Sequence, residues 1–203
     1  MTEGTSSLGP KTGGTAPPKP TQETCEKLDS ETDSGRETLG TKTTDKDLVG
    51  EDGDCVGTTV SACQVISSEN PSTMVAHNNN KAWQKCPDVF EKGGEPAVRE
   101  GREPGLCNHT HPGPAMQKSG HAEARMLDKL GTGPMPKQLT FSIDWIRATG
   151  PSKMPCATCH AYLCQVAKEC EVEIYLCDKE KQPHELPCPP TTRTRRALKK
   201  LID

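Results

Sequence analysis

Aromatic and other apolar residues are scarce in this sequence. Of its 203 residues only 31% are hydrophobic and 3% aromatic, and all six aromatic residues lie after residue 80. A chain this poor in apolar side chains cannot build a core along its whole length, because apolar burial must offset the entropy lost on folding. We therefore expect only the C-terminal part to fold around a core.

Long apolar runs are also missing. No apolar stretch approaches the roughly 18 residues that a membrane-spanning helix requires, and neither end carries a lipidation motif. The segment Met1 to Pro10 lacks the positive charge and apolar core of a secretory signal. These absences predict no membrane span, and a protein that is cytoplasmic or is secreted by a non-classical route into a target cell.

Charge is unevenly distributed along the chain. Residues 1–70 contain 6 Lys and Arg against 13 Asp and Glu, whereas residues 71–203 contain 19 against 15. The first part is rich in Thr, Ser, Gly and Pro and shows no apolar periodicity, which is typical of disorder. We predict a disordered low-complexity leader over 1–70, a folded domain over 71–190 and a basic tail over 191–203. Within the leader, Val56 to Ile66 fits either a brief strand or a polar linker.

Eleven cysteines would indicate a disulfide framework in a small secreted domain. Because no secretory signal is visible, we expect reduced thiols in a reducing compartment instead. Cys177 and Cys188 are then predicted to be unpaired and buried, and Cys164 and Cys170 to pack in the core. The alternative is that Cys177 and Cys188 face each other, so the sequence leaves their roles open. It also leaves open the roles of Cys55, Cys63, Cys86 and Cys107.

Apolar periodicity predicts the elements of the folded domain. Thr73 to Phe90 opens it as a short strand or helix, and Gln138 to Trp145 alternates as a strand does. A stripe formed by Cys159, Leu163, Val166 and Cys170 indicates a helix. The remaining predictions are a short helix over 122–130, a strand over 172–177 and an antiparallel return over 184–188.

Two short motifs carry the chemistry. His121-Ala122-Glu123 is followed, 35 residues after the histidine, by Pro155-Cys156-Ala157-Thr158-Cys159. A catalytic zinc ion takes three imidazole or thiolate ligands and keeps its fourth position for water, whose pKa it lowers to about 7. His121, Cys156 and Cys159 are the predicted ligands. Glu123, two residues beyond His121, is placed to move protons without binding the metal.

The same residues fit other interpretations in part. Cys156 to His160 is also a CxxCH sequence, the attachment pattern of c-type haem, and a lone CxxC fits a redox pair or a structural zinc site. Haem attachment leaves His121 and Glu123 unexplained, and no methionine follows His160 as an axial ligand, which leaves only His184. In a structural zinc-binding interaction module, Glu123 would be dispensable.

Together the two motifs resemble the HxE…PCxxC signature of zinc-dependent nucleobase and nucleoside deaminases. Over Thr73 to Pro189 the chain resembles the cytidine deaminase-like superfamily, and in particular the deaminase domains at the C-termini of bacterial polymorphic toxins. The resemblance implies an α/β, three-layer fold: a mixed sheet with the metal-bearing helices on one face. It also implies hydrolysis of the C–N bond of a cyclic amidine, with cytosine to uracil favoured over adenine or guanine.

Substrate and partners are less defined. By resemblance, Asn108 or one of Asn78, Asn79 and Asn80 would hold the substrate, with Trp145 and Ala157 as further candidates. Trp145 also fits simple core packing, and the loop over 107–111 fits either a second metal site or a solvated loop. The tail, with its basic residues, fits a solvated helix or a phosphate contact. The candidate substrates are single-stranded or duplex DNA, RNA and free nucleoside; a toxin would also have a cognate immunity protein.

Overall fold

The computed structural model describes residues 16–38, 59–67, 71–77, 107, 121–131, 135–147 and 150–203. Within these ranges the chain is a mixed α/β protein of four helices and six strands. The helices are α1 (Gln22–Thr38), α2 (Ala122–Leu130), α3 (Ala157–Glu169) and α4 (Thr192–Ile202). The strands are β1 (Val60–Ile66), β2 (Pro71–His77), β3 (Gln138–Arg147), β4 (Gly150–Ser152), β5 (Glu173–Cys177) and β6 (Pro183–Glu185).

The strands form one mixed sheet in the order β2-β1-β3-β5-β6, with β4 paired to β3. β1 is antiparallel to both β2 and β3, whereas β3 and β5 are parallel. A parallel pair needs a crossover between its strands, and α3 supplies it. β6 runs antiparallel to β5, which confirms the predicted return of the chain, although the paired residues are Pro183–Glu185.

Both faces of β3 are buried, and they differ in chemistry. Leu139, Phe141 and Ile143 enter the main apolar core, together with residues of α2, α3 and α4. The alternate residues, including Ser142 and Asp144, lie buried beneath α1 on the other face. The sheet therefore separates α1 from the helices that carry the predicted metal ligands.

α1 and β1 lie in the region predicted to be a disordered leader. For α1 that expectation is wrong, whereas β1 confirms the brief strand that was one of the two alternatives for Val56 to Ile66. β1 is an internal strand of the sheet, hydrogen-bonded to β2 and to β3. α1 buries Cys25 and Leu28 and attaches to β3 through Arg36, whose guanidinium bonds to the carboxylate and the carbonyl of Asp144. Polar bonds supplement the small apolar contact of Cys25 and Leu28, so the composition of α1 resembles that of a solvated segment.

The close approach of α1 to the sheet requires a glycine. A Cβ at Gly35 would lie 3.0 Å from Val60 Cγ1 and 3.2 Å from Val75 Cγ1. Both distances are shorter than ordinary carbon contacts of about 3.5–4.0 Å. Gly35 therefore sets the separation between α1 and the first two strands.

Within the part of the chain that the structure describes, six cysteines form disulfides, which corrects the expectation of reduced thiols. Cys177 pairs with Cys25 and Cys188 with Cys164, while Cys107 pairs with Cys170. Cys25 and Cys188 lie outside the helix or strand that holds their partner. The apolar periodicity of one element therefore could not predict these pairs. Cys55 and Cys86 lie outside the described residues.

Among the described residues, no helix has both the length and the apolarity needed to cross a membrane.

Candidate metal centre

His121 stands at the start of α2. Its carbonyl accepts a hydrogen bond from the Arg125 backbone N–H at 3.0 Å, which makes His121 the N-cap residue of α2. Ala124, Met126 and Leu127 of α2 are buried in the main core. This packing holds the imidazole at the helix N-terminus, facing α3.

Cys156 and Cys159 occupy the N-terminus of α3. Cys156 is the N-cap residue, and its Sγ accepts a hydrogen bond from the Cys159 backbone N–H at 3.3 Å. A thiolate in this position is stabilised by the unpaired N–H groups and the dipole of the helix. The predicted placement of all three ligands at two helix N-termini is therefore confirmed.

The three ligand atoms form a compact group. His121 Nδ1 lies 3.5 Å from Cys156 Sγ and 3.1 Å from Cys159 Sγ, and all three atoms lie within 4.8 Å of one another. Tetrahedral bonds of about 2.0 Å to nitrogen and 2.3 Å to sulfur would set N and S ligand atoms about 3.6 Å apart. The group could thus hold a metal ion after small movements of its side chains.

Of the two thiols, Cys159 holds its proton more strongly than Cys156, because their pKa values shift in opposite directions. A hydrogen bond from the Cys159 side chain, with further bonds from His121 and the Cys159 backbone, lowers the pKa of Cys156 to about 3. The same bond, burial and the nearby carboxylate of Glu123 raise the pKa of Cys159 well above its usual value. A metal ion that binds both sulfurs as thiolates must displace that proton.

Glu123 completes the group from the first turn of α2. It is only 3% exposed, and its Oε2 lies 3.5 Å from Cys159 Sγ. Burial, and after it the negative charge of Cys156, raises the pKa of the Glu123 carboxyl. Its place beside the candidate ligands makes Glu123 a candidate for the proton transfers of general acid–base catalysis.

Residues 152–154, which precede the candidate ligands Cys156 and Cys159, each take part in a hydrogen bond to another element of the chain. Asp203 Oδ1 accepts from Ser152 Oγ and from the Lys153 backbone N–H, both at 2.9 Å. Trp145 Nε1 donates to the carbonyl of Met154 at 2.7 Å. Lys153 Nζ lies 2.9 Å from Asp29 Oδ1 on α1, so elements from both faces of the sheet fix this segment.

A second Cys and His group lies farther along α3. His160, Cys164 and Cys188 also place three ligand atoms within 4.8 Å of one another, but the two cysteines form a disulfide. His160 Nε2 lies 2.8 Å from the carbonyl of Pro187, and its Nδ1 lies 3.2 Å from Arg195 Nη1. A guanidinium at one nitrogen and a carbonyl at the other leave the ring poorly suited to a metal ion.

Of the predicted substrate residues, the structure describes Trp145 and Ala157. Trp145 packs against the main core and bonds to Met154, so packing and positioning account for its contacts. Ala157 is exposed at the first turn of α3, beside the ligands. Asn108, Asn78, Asn79 and Asn80 lie outside the described residues.

Sequence reasoning missed Arg195 and Asp203 as parts of this centre. Both belong to the basic tail, which is helix α4 with Leu198 and Ile202 buried in the main core. The spacing of these two apolar residues at i and i+4 was the available signal, since it marks an amphipathic helix that packs.

No family model matches the chain, and neither a curated protein nor a solved structure matches it.

Proposed function

We propose that this chain is a zinc-dependent hydrolytic deaminase that converts an amino-substituted base to its keto form, with cytosine to uracil favoured. The single observation that carries the proposal is Glu123, a buried carboxyl group whose Oε2 lies 3.5 Å from Cys159 Sγ, one of the two candidate ligand sulfurs. A purely structural zinc site gains nothing from such a group, since burying an extra negative charge beside two thiolates is unfavourable.

The donor set fits zinc as a catalytic ion. One imidazole and two thiolates match the three-ligand sites of catalytic zinc, which retain a position for water or substrate. When bound, zinc would supply a Lewis acid that makes water nucleophilic near neutral pH. The resemblance of the HAE and PCATC motifs to the deaminase superfamily supports the same assignment.

Glu123 would carry the proton transfers. In the reaction a C–O bond forms at C4 of cytosine and the C4–N4 bond breaks, so water and cytosine give uracil and ammonia. Glu123 would take a proton from the water, deliver it to the ring nitrogen and assist the departure of ammonia. Its position supports this role, because the buried carboxyl lies 3.5 Å from Cys159 Sγ, beside the place where the metal and its water would be held.

A Glu123→Ala variant tests the proposal. Metal content, measured by mass spectrometry, is expected to stay near one zinc per chain, while ammonia release falls by a factor of at least about 100. Glu180→Gln, at an exposed residue, is the matched control and should retain full activity. Full activity in Glu123→Ala would rule out the deaminase mechanism, and would favour the alternative of a structural zinc-binding module.

We propose nucleic acid rather than free nucleoside as the substrate. Helix α4 exposes four basic side chains, those of Arg193, Arg196, Lys199 and Lys200. On the same helix, Arg195 Nη1 lies 3.4 Å from the carbonyl oxygen of Pro155 and 3.3 Å from that of Cys156. A basic surface this close to the ligands suits contact with the phosphates that flank a target base.

Replacing these four exposed residues by Gln should lower activity on single-stranded DNA or RNA and flatten its salt dependence. Each lost phosphate contact reduces the slope of log K against log salt by about 0.7 on single strands. Lys168→Gln, at an exposed position of α3, is the control. Turnover of free cytidine that is efficient and insensitive to salt, with none on polymers, would identify a salvage-type enzyme instead.

We propose further that the chain acts as a toxin or effector in a target cell. Its disulfides support export, because such bonds persist in oxidising compartments and are rare in the cytosol. Expression in a bacterial cytoplasm is expected to be toxic, and Glu123→Ala or co-expression of a cognate immunity protein should remove the toxicity. Harmless expression of a catalytically active protein would contradict this role.

A further inference from the structure

Arg195 of α4 makes a set of hydrogen bonds to the segment that leads into the metal ligands. Its Nη1 and Nη2 donate to the carbonyl of Pro155 at 3.4 and 3.3 Å, and Nη1 also donates to the carbonyl of Cys156 at 3.3 Å. The second carbonyl belongs to a predicted ligand. A guanidinium offers donors in a fixed plane, so it can hold adjacent carbonyls in one orientation.

The same guanidinium reaches the residue that follows the other ligand cysteine. His160 is fully buried, and its Nε2 donates to the Pro187 carbonyl at 2.8 Å, because a carbonyl can only accept. The neutral ring therefore presents Nδ1 as an acceptor, and Arg195 Nη1 lies 3.2 Å from it. Arg195 thus bonds to residues that adjoin both Cys156 and Cys159.

The C-terminal end of α4 contacts the residues just before Pro155. Asp203 accepts hydrogen bonds from the side chain of Ser152 and the backbone of Lys153. Leu198 and Ile202, between the two contacts, are buried in the main core. α4 therefore attaches to residues 152–156 at both ends, while its apolar face fixes it to the rest of the protein.

We propose that Arg195 is a positioning residue of the metal centre, which holds the Cys156 and Cys159 thiolates in the arrangement that binds the ion. This inference rests on the part of the proposed function that assigns a metal to these ligands and is independent of the reaction. Groups that orient metal ligands from outside typically change metal affinity by about 10- to 100-fold when removed. Arg195 would act in this way through the backbone of Pro155 and Cys156.

Metal affinity of the full chain tests the proposal. Zinc affinity is measured by competition with a chromophoric chelator for wild type, Arg195→Gln, Arg195→Lys and the control Arg196→Gln, at the adjacent exposed residue. The Gln variant is expected to bind zinc about 10- to 100-fold more weakly. The Lys variant should lie between it and wild type, because one ammonium cannot reproduce every bond, and Arg196→Gln should match wild type.

Cobalt substitution adds a readout that a purely structural role would not change. Thiolate-to-cobalt charge-transfer absorption reports the number and geometry of the sulfur ligands, so it should weaken or shift in Arg195→Gln and recover in part in Arg195→Lys. Urea unfolding of the metal-free proteins is measured in parallel. A lower midpoint with unchanged zinc affinity and cobalt spectrum would make Arg195 a folding residue only.

Each outcome decides between the two proposals. Wild type that binds neither zinc nor cobalt would overturn the proposed function together with this inference. Wild type that binds metal while Arg195→Gln retains the same affinity and spectrum would overturn the inference alone. If Arg195→Gln does not fold, Arg195→Lys decides by the same criteria, and failure of both to fold would also reject a positioning role.

Discussion

The attachment of α1 to the sheet can be tested at one ion pair. Arg36 and Asp144 have side chains only 4% and 9% exposed, and the guanidinium bonds to both the carboxylate and the backbone carbonyl of Asp144. Replacing Arg36 by Met preserves much of the side-chain volume but removes the charge. The Asp144 carboxylate is then buried without this partner.

The expected loss in the free energy of unfolding follows from the burial of both side chains. Breaking a buried ion pair from one side costs about 3–5 kcal/mol, a large part of the 5–15 kcal/mol by which a typical domain is stable. With an m value of about 2 kcal/mol/M, the urea midpoint should fall by about 1.5–2.5 M. The double variant Arg36→Met with Asp144→Leu should recover at least half of the loss, because replacing both charges with apolar groups is often neutral.

Urea unfolding followed by circular dichroism provides the measurement, and Glu37→Gln, at an exposed residue of α1, is the control. The control should change the free energy of unfolding by less than about 0.5 kcal/mol. If Arg36→Met has an effect as small as that, α1 is not docked on β3 and the reasoning about the second face of the sheet is refuted.

Further variants test the remaining contacts by the same unfolding assay. Phe141→Ala, in the main core, should cost about 3–5 kcal/mol, and an effect below about 1 would contradict its burial. Gly35→Leu should cost about 1–3 kcal/mol by overpacking against Val60, whereas a neutral result would mean that α1 lies farther from the strands. Cys25→Ala with Cys177→Ala should cost about 2–5 kcal/mol, and reducing agent should then have less effect than on wild type.

The central elements could be predicted because their patterns reflect one-sided burial. Leu139, Phe141 and Ile143 alternate along β3, and Leu163 and Val166 mark the inner face of α3, as expected from their spacing. The group that could hold a metal ion was also accessible from sequence, since a zinc site restricts both the residue types and their local spacing. What sequence supplied at this site was therefore the chemistry of its donors.

The rest depends on partners that are distant in sequence. Asp29 and Arg36 belong to a helix whose composition is typical of a solvated segment. Their partners Ser142 and Asp144 lie more than 100 residues later in the sequence, so local pattern cannot indicate these bonds. Arg195 likewise belongs to a basic segment whose local pattern favours solvent or phosphate. Its bonds to Pro155 and Cys156 exist only because Leu198 and Ile202 dock α4 in the core.

The position of α1 also limits how such a domain could be exchanged between genes. A recombination point between residues 38 and 60 would leave β1 and all later elements intact, yet it would separate Arg36 from the buried carboxylate of Asp144. The inherited fragment would keep His121, Cys156 and Cys159 and lose stability against proteolysis. A stable fragment that carries these three residues therefore also includes Gln22–Thr38, on the opposite face of the sheet.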